Sequence, residues 1–176
     1  PLRLVGSEMC IRDRLIFNSL TRTPYDRIES KMLTLEKRLA SSEECQLFQL
    51  EVGEEIWSFS RIRLVNYKIE QLEKSLLPVK LFPKVTKEVV EHSIQRFVEK
   101  EGYRISHYIS NYTPVTLTKA QSEVLMVRRG TPAMQIKNRA LLADGRIFEY
   151  SEITAIDYSV TYIRPFDRMI HQSRID

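Results

Sequence analysis

Glycine is scarce in this chain, with five residues among 176, and the five are scattered. They assemble no phosphate-cradling loop, and neither a GxSxG elbow nor an HExxH helix motif occurs. No nucleophile stands beside a local base, so an enzymatic reading has no candidate mechanism to begin from. Cysteine is rarer still. Cys10 and Cys45 form no CxxC pair and frame no disulfide scaffold, and His92, His107 and His171 lie too far apart for zinc-ligand spacing. The expectation is a chain with neither metal nor cofactor. No run of about eighteen apolar residues is present to span a bilayer. Nor does a basic segment lead into an apolar run and a cleavage site. A protein of the reducing cytoplasm, with no membrane partner, is the expectation.

Neither sign of charge dominates. The net charge is +4 and the pI about 9.1, yet acidic residues interleave with basic ones nearly everywhere. Lys and Arg do not gather on one helix with aromatic spacing, which gives little support to direct nucleic-acid binding by this chain.

What is present reads as one domain: hydrophobic residues make up 43% and charged residues 28%. Residues 1–14 show no usable periodicity, and the run 4–14 resembles a translated sequencing-adapter fragment. The expectation is a non-native segment at 1–14 ahead of a native domain over 15–170. From there the pattern predicts a strand over 31–38, then a helix opened by the Ser41-Ser42-Glu43-Glu44 capping box and stopped by Gly53. Strands come next over 55–65 and 68–77, joined at Asn66-Tyr67 and ended by Pro78. One helix is predicted over 86–101 with a Val90, Ile94, Phe97, Val98 stripe and Gly102 as terminator. After it lies a strand over 103–112. Thr118 to Gln121 form a second capping box for a helix ended by Gly130, and two last strands over 132–142 and 146–158 flank Asp144-Gly145. Tight turns between neighbouring strands imply an antiparallel sheet with helices, an α+β fold.

Polar residues on otherwise apolar strands mark the candidate site. Period-two alternation puts Trp57, Phe59, Arg61 and Arg63 on one face. Adjacent guanidiniums suit a bound anion or carboxylate, since arginine grips such groups bidentately. Glu73 and Ser75 share a face of the next strand, where a hairpin register brings Glu73 toward the arginines. The plainer alternative, a cross-strand salt bridge on a solvated face, is favoured by composition and spacing alone. Glu149 and Ser151 face one side of the last strand with Phe148 and Tyr150 on the other, the pattern of a half-exposed strand. His92 and His107 read as partly buried hydrogen-bonding residues.

Taken in order, these motifs resemble a known family. Ser30 to Leu33, the segment from Leu47 to Gly53, Arg61-Ile62-Arg63-Leu64, and Glu73 through Pro78 come first. Phe82-Pro83, Ser93, Gly130-Thr131-Pro132, Asp144-Gly145-Arg146 and Glu149-Tyr150-Ser151 complete the series. Over about 150 residues the chain resembles the UTRA effector-binding domain of GntR-family, HutC-type transcription regulators. The resemblance implies a chorismate-lyase-like antiparallel sheet flanked by helices, a homodimer, a small anionic effector (a phosphosugar foremost), and operator DNA read by a winged helix-turn-helix domain missing from this chain. It implies effector contacts from Arg61, Arg63, Glu73, Ser93 and Glu149, and from the loop Ser19-Leu20-Thr21. A chorismate-lyase-like enzyme is the alternative sharing that fold. Two positions depart from the family's pattern: Asn66-Tyr67-Lys68 lacks the usual glycine and proline, and Gln95 stands where phosphosugar sensors often carry an aromatic residue.

Overall fold

The computed structural model describes residues 16–17 and 27–162; residues 1–14 and the Ser19-Leu20-Thr21 loop lie outside them. The chain divides into two compact units. In one, β1 (Ile16–Phe17) pairs antiparallel with β8 (Thr161–Tyr162). The other, residues 26–157, carries the rest. It contains β2 (Ile28–Leu39), α1 (Ser42–Phe48), β3 (Glu55–Val65), β4 (Lys68–Pro78), α2 (Lys87–Glu91) and α3 (Ile94–Lys100). After these come β5 (Ile105–Thr116), α4 (Lys119–Leu125), β6 (Pro132–Leu142) and β7 (Ile147–Ala155). Strands β2-β3-β4-β7-β6-β5 form one sheet, every pairing antiparallel, which is the α+β architecture expected.

Alternation along the strands divides the core between the two faces of the sheet. On one, Phe59, Leu77, Ala140, Leu142 and Phe148 pack with Phe82, Val90, Ile94 and Val98. On the other, Leu72 joins Leu125 of α4, Leu117 and Ile156. Both predicted capping boxes form, at Ser41 and at Thr118. Of the glycines named as helix stops, Gly102 (φ 88°) stands just past the end of α3 as expected, but Gly53 and Gly130 do not act as stops. Gln49 (φ 54°) and Met126 (φ 56°) take the left-handed conformation that ends α1 and α4, and Gly53 and Gly130 sit in later turns.

The predicted helix over 86–101 is two helices, and the break has a tertiary cause. In a continuous helix the carbonyl of Val90 would accept from residue 94. Here it accepts instead from Arg61 Nη1 at 2.6 Å, as does His92 O at 3.0 Å. His92 is extended (φ −110°, ψ −160°), and Ser93 caps the new helix by accepting from Arg96 N. Among the described residues no helix is long and apolar enough to cross a membrane.

Candidate functional site

The site begins at an irregularity in the β3–β4 hairpin. Asn66 (φ 49°) and Tyr67 (φ 68°) both occupy the left-handed region, as a two-residue type I′ turn requires. A regular ladder counted from that turn pairs Arg61 with Leu72. A bulge between Arg63 and Leu64 advances the register by one residue, so Arg61 faces Glu73 and Arg63 faces Gln71.

Arg61 is 1% exposed and Glu73 2%. Arg61 Nη2 donates to Glu73 Oε1 at 2.7 Å, and Arg63 Nε donates to Oε2 at 2.9 Å. Ser75 Oγ is the third donor to the carboxylate, reaching Oε1 at 3.1 Å. The solvated salt bridge favoured by spacing alone is therefore wrong in its setting: the pair lies in the interior, held by backbone carbonyls of the α2–α3 junction. Arg61 Nε is buried without a hydrogen-bond partner among the described residues. Arg63, whose side chain is 21% exposed, commits only Nε to the described residues.

Glu149 completes the cluster. It is 7% exposed and Ser151 is 5% exposed, so both lie on the buried face of a strand whose other face, at Tyr150 and Glu152, is partly exposed. The register shift between Ala140 and Leu141 breaks the simple alternation and lets Phe148 and Glu149 both be buried. Burial pushes the Glu149 carboxyl up to about 7; the neighbouring Glu73 charge adds to the rise, while Arg61, Ser75 and Arg63 oppose it. Burial also disfavours ionised Glu73, but Arg63 and Arg61 outweigh it and hold that group at about 2. With Glu149 neutral, two guanidiniums face one carboxylate, a net charge of +1 in a desolvated setting.

Arg61, Arg63, Glu73 and Glu149 thus come together from three neighbouring strands. Ser93 stands apart at the helix junction. Its Oγ donates to Gln95 Oε1 at 3.0 Å, and it borders a cavity of about 250 Å³ with His92, Arg96, Phe97 and Lys100. Gln95 also hydrogen-bonds the Tyr108 hydroxyl, whose pKa is raised by burial and by the Glu149 and Glu99 charges. His92 and His107 are exposed rather than partly buried, and the described residues contain no cluster of potential metal ligands.

Sequence reasoning missed a polar row beside the cluster. Ser75 pairs with Ser151, Ser151 with Asn138, and Asn138 with Ser110, across β4, β7, β6 and β5. Its signal was available: two-residue counting back from Asp144-Gly145 puts Asn138 opposite Ser151.

Comparison with known proteins agrees with this architecture. The UTRA domain profile matches residues 25–159. The mannosyl-D-glycerate transport/metabolism system repressor MngR of Escherichia coli is 31% identical over 121 residues, covering 67% of this chain and 50% of that protein. The transcriptional repressor NagR of Bacillus subtilis is 24% identical over 115 residues, 65% of this chain and 47% of its own. The chain spans about half the length of these curated relatives. Among solved structures, a GntR-family transcriptional regulator from Enterococcus faecalis superposes with a TM-score of 0.67 at 21% identity, covering 79% of this chain and 99% of that one. The effector domain of PhnF from Mycobacterium smegmatis gives 0.69 at 12% identity, covering 75% and 82%. With a family match over most of its length and the fold of GntR-family effector domains, this chain belongs to the UTRA domain family.

Proposed function

We propose that this chain is the sensing domain of a bacterial transcription repressor and that it binds a small anionic metabolite, a phosphosugar before other anions, at the Arg61–Glu73–Arg63 centre. The observation that carries this reading is the pair of arginines, Arg61 buried and Arg63 partly exposed, sharing one carboxylate. Arg61 Nε and the outer nitrogens of Arg63 remain uncommitted to the described residues, the donor arrangement that phosphate and carboxylate recognition uses. Glu149 lies within reach of the same centre and would meet a hydroxyl of the ligand. Ser93 and the Ser19-Leu20-Thr21 loop are assigned by resemblance as further effector contacts. The name of the Escherichia coli relative joins a sugar (mannosyl) to an acid anion (glycerate), which supports an anionic sugar derivative here.

In this reading the effector shifts the arrangement of two protomers in the cytoplasm. Operator affinity then changes through a winged helix-turn-helix domain carried elsewhere in the protein, because the ligand favours one arrangement over the other. Relatives named as repressors favour this over a lyase-type enzyme. A thermal-shift screen of phosphosugars and carboxylates on the wild type and on Arg63→Met tests it. Stabilisation by an anionic metabolite that the variant loses is expected. An equal response in both proteins, or none to any anion, overturns it.

A further inference from the structure

The row beside the arginine centre has no structural necessity. On one side of it the same face carries Ala140 and Phe148 in the apolar core, and on the other Ile136 pairs with Ile153. A sheet face of this kind closes most cheaply with Ala or Val, because each buried hydroxyl or amide needs a partner. Instead four consecutive strands contribute a hydroxyl or an amide at one level.

The row is also wired as a chain. Ser110 Oγ donates to Asn138 Oδ1 at 2.7 Å, and Asn138 Nδ2 donates to Ser151 Oγ at 3.3 Å. At the other end Ser75 donates to Glu73. Capacity is left over: Nδ2 has a second proton, Oδ1 a second lone pair, and Ser151 its own hydroxyl proton. Exposure rises along the row, from buried Ser75 and Ser151 through half-buried Asn138 to exposed Ser110. Strand spacing gives it a length of about 14 Å. In the register next to it, Glu149 pairs with Ala140 and Ala140 with Tyr108, so Glu149 flanks the row beside Ser151 and Tyr108 flanks it at the β5 end. Gln95, bonded to Tyr108, brings α3 to the same place.

We infer that Ser75, Ser151, Asn138 and Ser110 form a hydroxyl-reading track running from the arginine–carboxylate centre to the β5 edge, and that the effector is an anion with a polyhydroxylated body longer than one sugar ring. The inference rests on the anionic reading of the centre and adds the length and chemistry of the body attached to the anion. Asn138 is the specificity-determining residue, since it sits inside the track and its amide keeps both an N–H and an Oδ1 lone pair for a ligand after its two contacts within the row.

Calorimetry with four probes tests it: inorganic phosphate, glucose 1-phosphate, maltose 1-phosphate and neutral maltose. The wild type is expected to bind maltose 1-phosphate about tenfold more tightly than glucose 1-phosphate, as one to two additional hydrogen bonds allow. Asn138→Leu removes that advantage and leaves phosphate binding unchanged. Ser110→Ala, at an exposed position that does not endanger folding, lowers maltose 1-phosphate affinity about threefold. Equal affinities for the two esters in the wild type overturn the track, as do ester affinities indifferent to both variants while Arg63→Met still abolishes binding; in those cases the anionic centre stands. Neutral maltose binding as tightly as its phosphate, and weakened by Asn138→Leu, upholds the track and overturns the anionic reading. Binding of none of the probes overturns both.

Discussion

A buried ion triad is costly to break from one side, because the charges left behind have no water to turn to. Glu73→Gln would leave Arg61, at 1% exposure, facing a neutral amide. A loss of about 3–5 kcal/mol in unfolding free energy is expected by urea titration. A loss below about 1 kcal/mol would show that the triad does not hold β3 to β4. Glu73 and Glu149 also set opposite pH dependences. Glu73 is held at about 2, below its ordinary 4.5, so its stabilisation is complete above about 4.5 and lost as pH falls toward 2. Glu149 stands at about 7, above 4.5, so its contribution is complete below about 4.5 and lost as pH rises through 7. Stability is therefore expected to decline between pH 5 and pH 8. Glu149→Gln, neutral throughout, should flatten that decline and be the more stable protein at pH 8 by on the order of 1–3 kcal/mol. An unchanged slope in the variant would mean Glu149 is ionised in the fold at neutral pH.

The secondary-structure elements divide into those determined locally and those determined by a partner far along the chain. Capping is local. Thr118 Oγ1 accepts from Gln121 N at 3.3 Å and Gln121 Oε1 returns the contact to Thr118 N at 3.0 Å. Thr118→Ala should thus lose about 1 kcal/mol by thermal or urea unfolding, and a neutral result would show that α4 is held by packing alone. Both capping boxes, β3, β4 and the Asp144-Gly145 hairpin were legible for this reason: a few adjacent residues suffice to specify each. The break at His92 was not legible, because it is made by Arg61, 31 residues upstream, drawing two carbonyls out of the helical pattern. The Arg61–Glu73 pairing was only half legible. Alternation placed each residue on a face, but the bulge at Arg63/Leu64 decides that the faces coincide, and a bulge leaves little trace in hydrophobic periodicity. The same holds for Phe148 and Glu149, whose joint burial depends on the shift at Ala140/Leu141.

At the scale of the molecule, the five strands β3-β4-β7-β6-β5 bring the arginine pair, two carboxylates and a polar row to one face, while the apolar residues of that face are gathered under α2 and α3. The cluster is anchored through Arg61 to the backbone of the α2–α3 junction, so a ligand that draws on Arg61 or Arg63 acts on a helix break as well as on the sheet. Under the proposed reading, that linkage is the route by which occupancy would change helix position, which a sensor needs and a passive binding protein does not. The most direct test of the central claim is calorimetric titration of glucose 1-phosphate into the wild type and into Arg63→Met at equal folded concentration. Saturable binding in the wild type, weakened at least tenfold in the variant while its unfolding midpoint stays close to wild type, is predicted. Equal affinity in the two proteins would contradict the assignment of the arginine centre as the effector site.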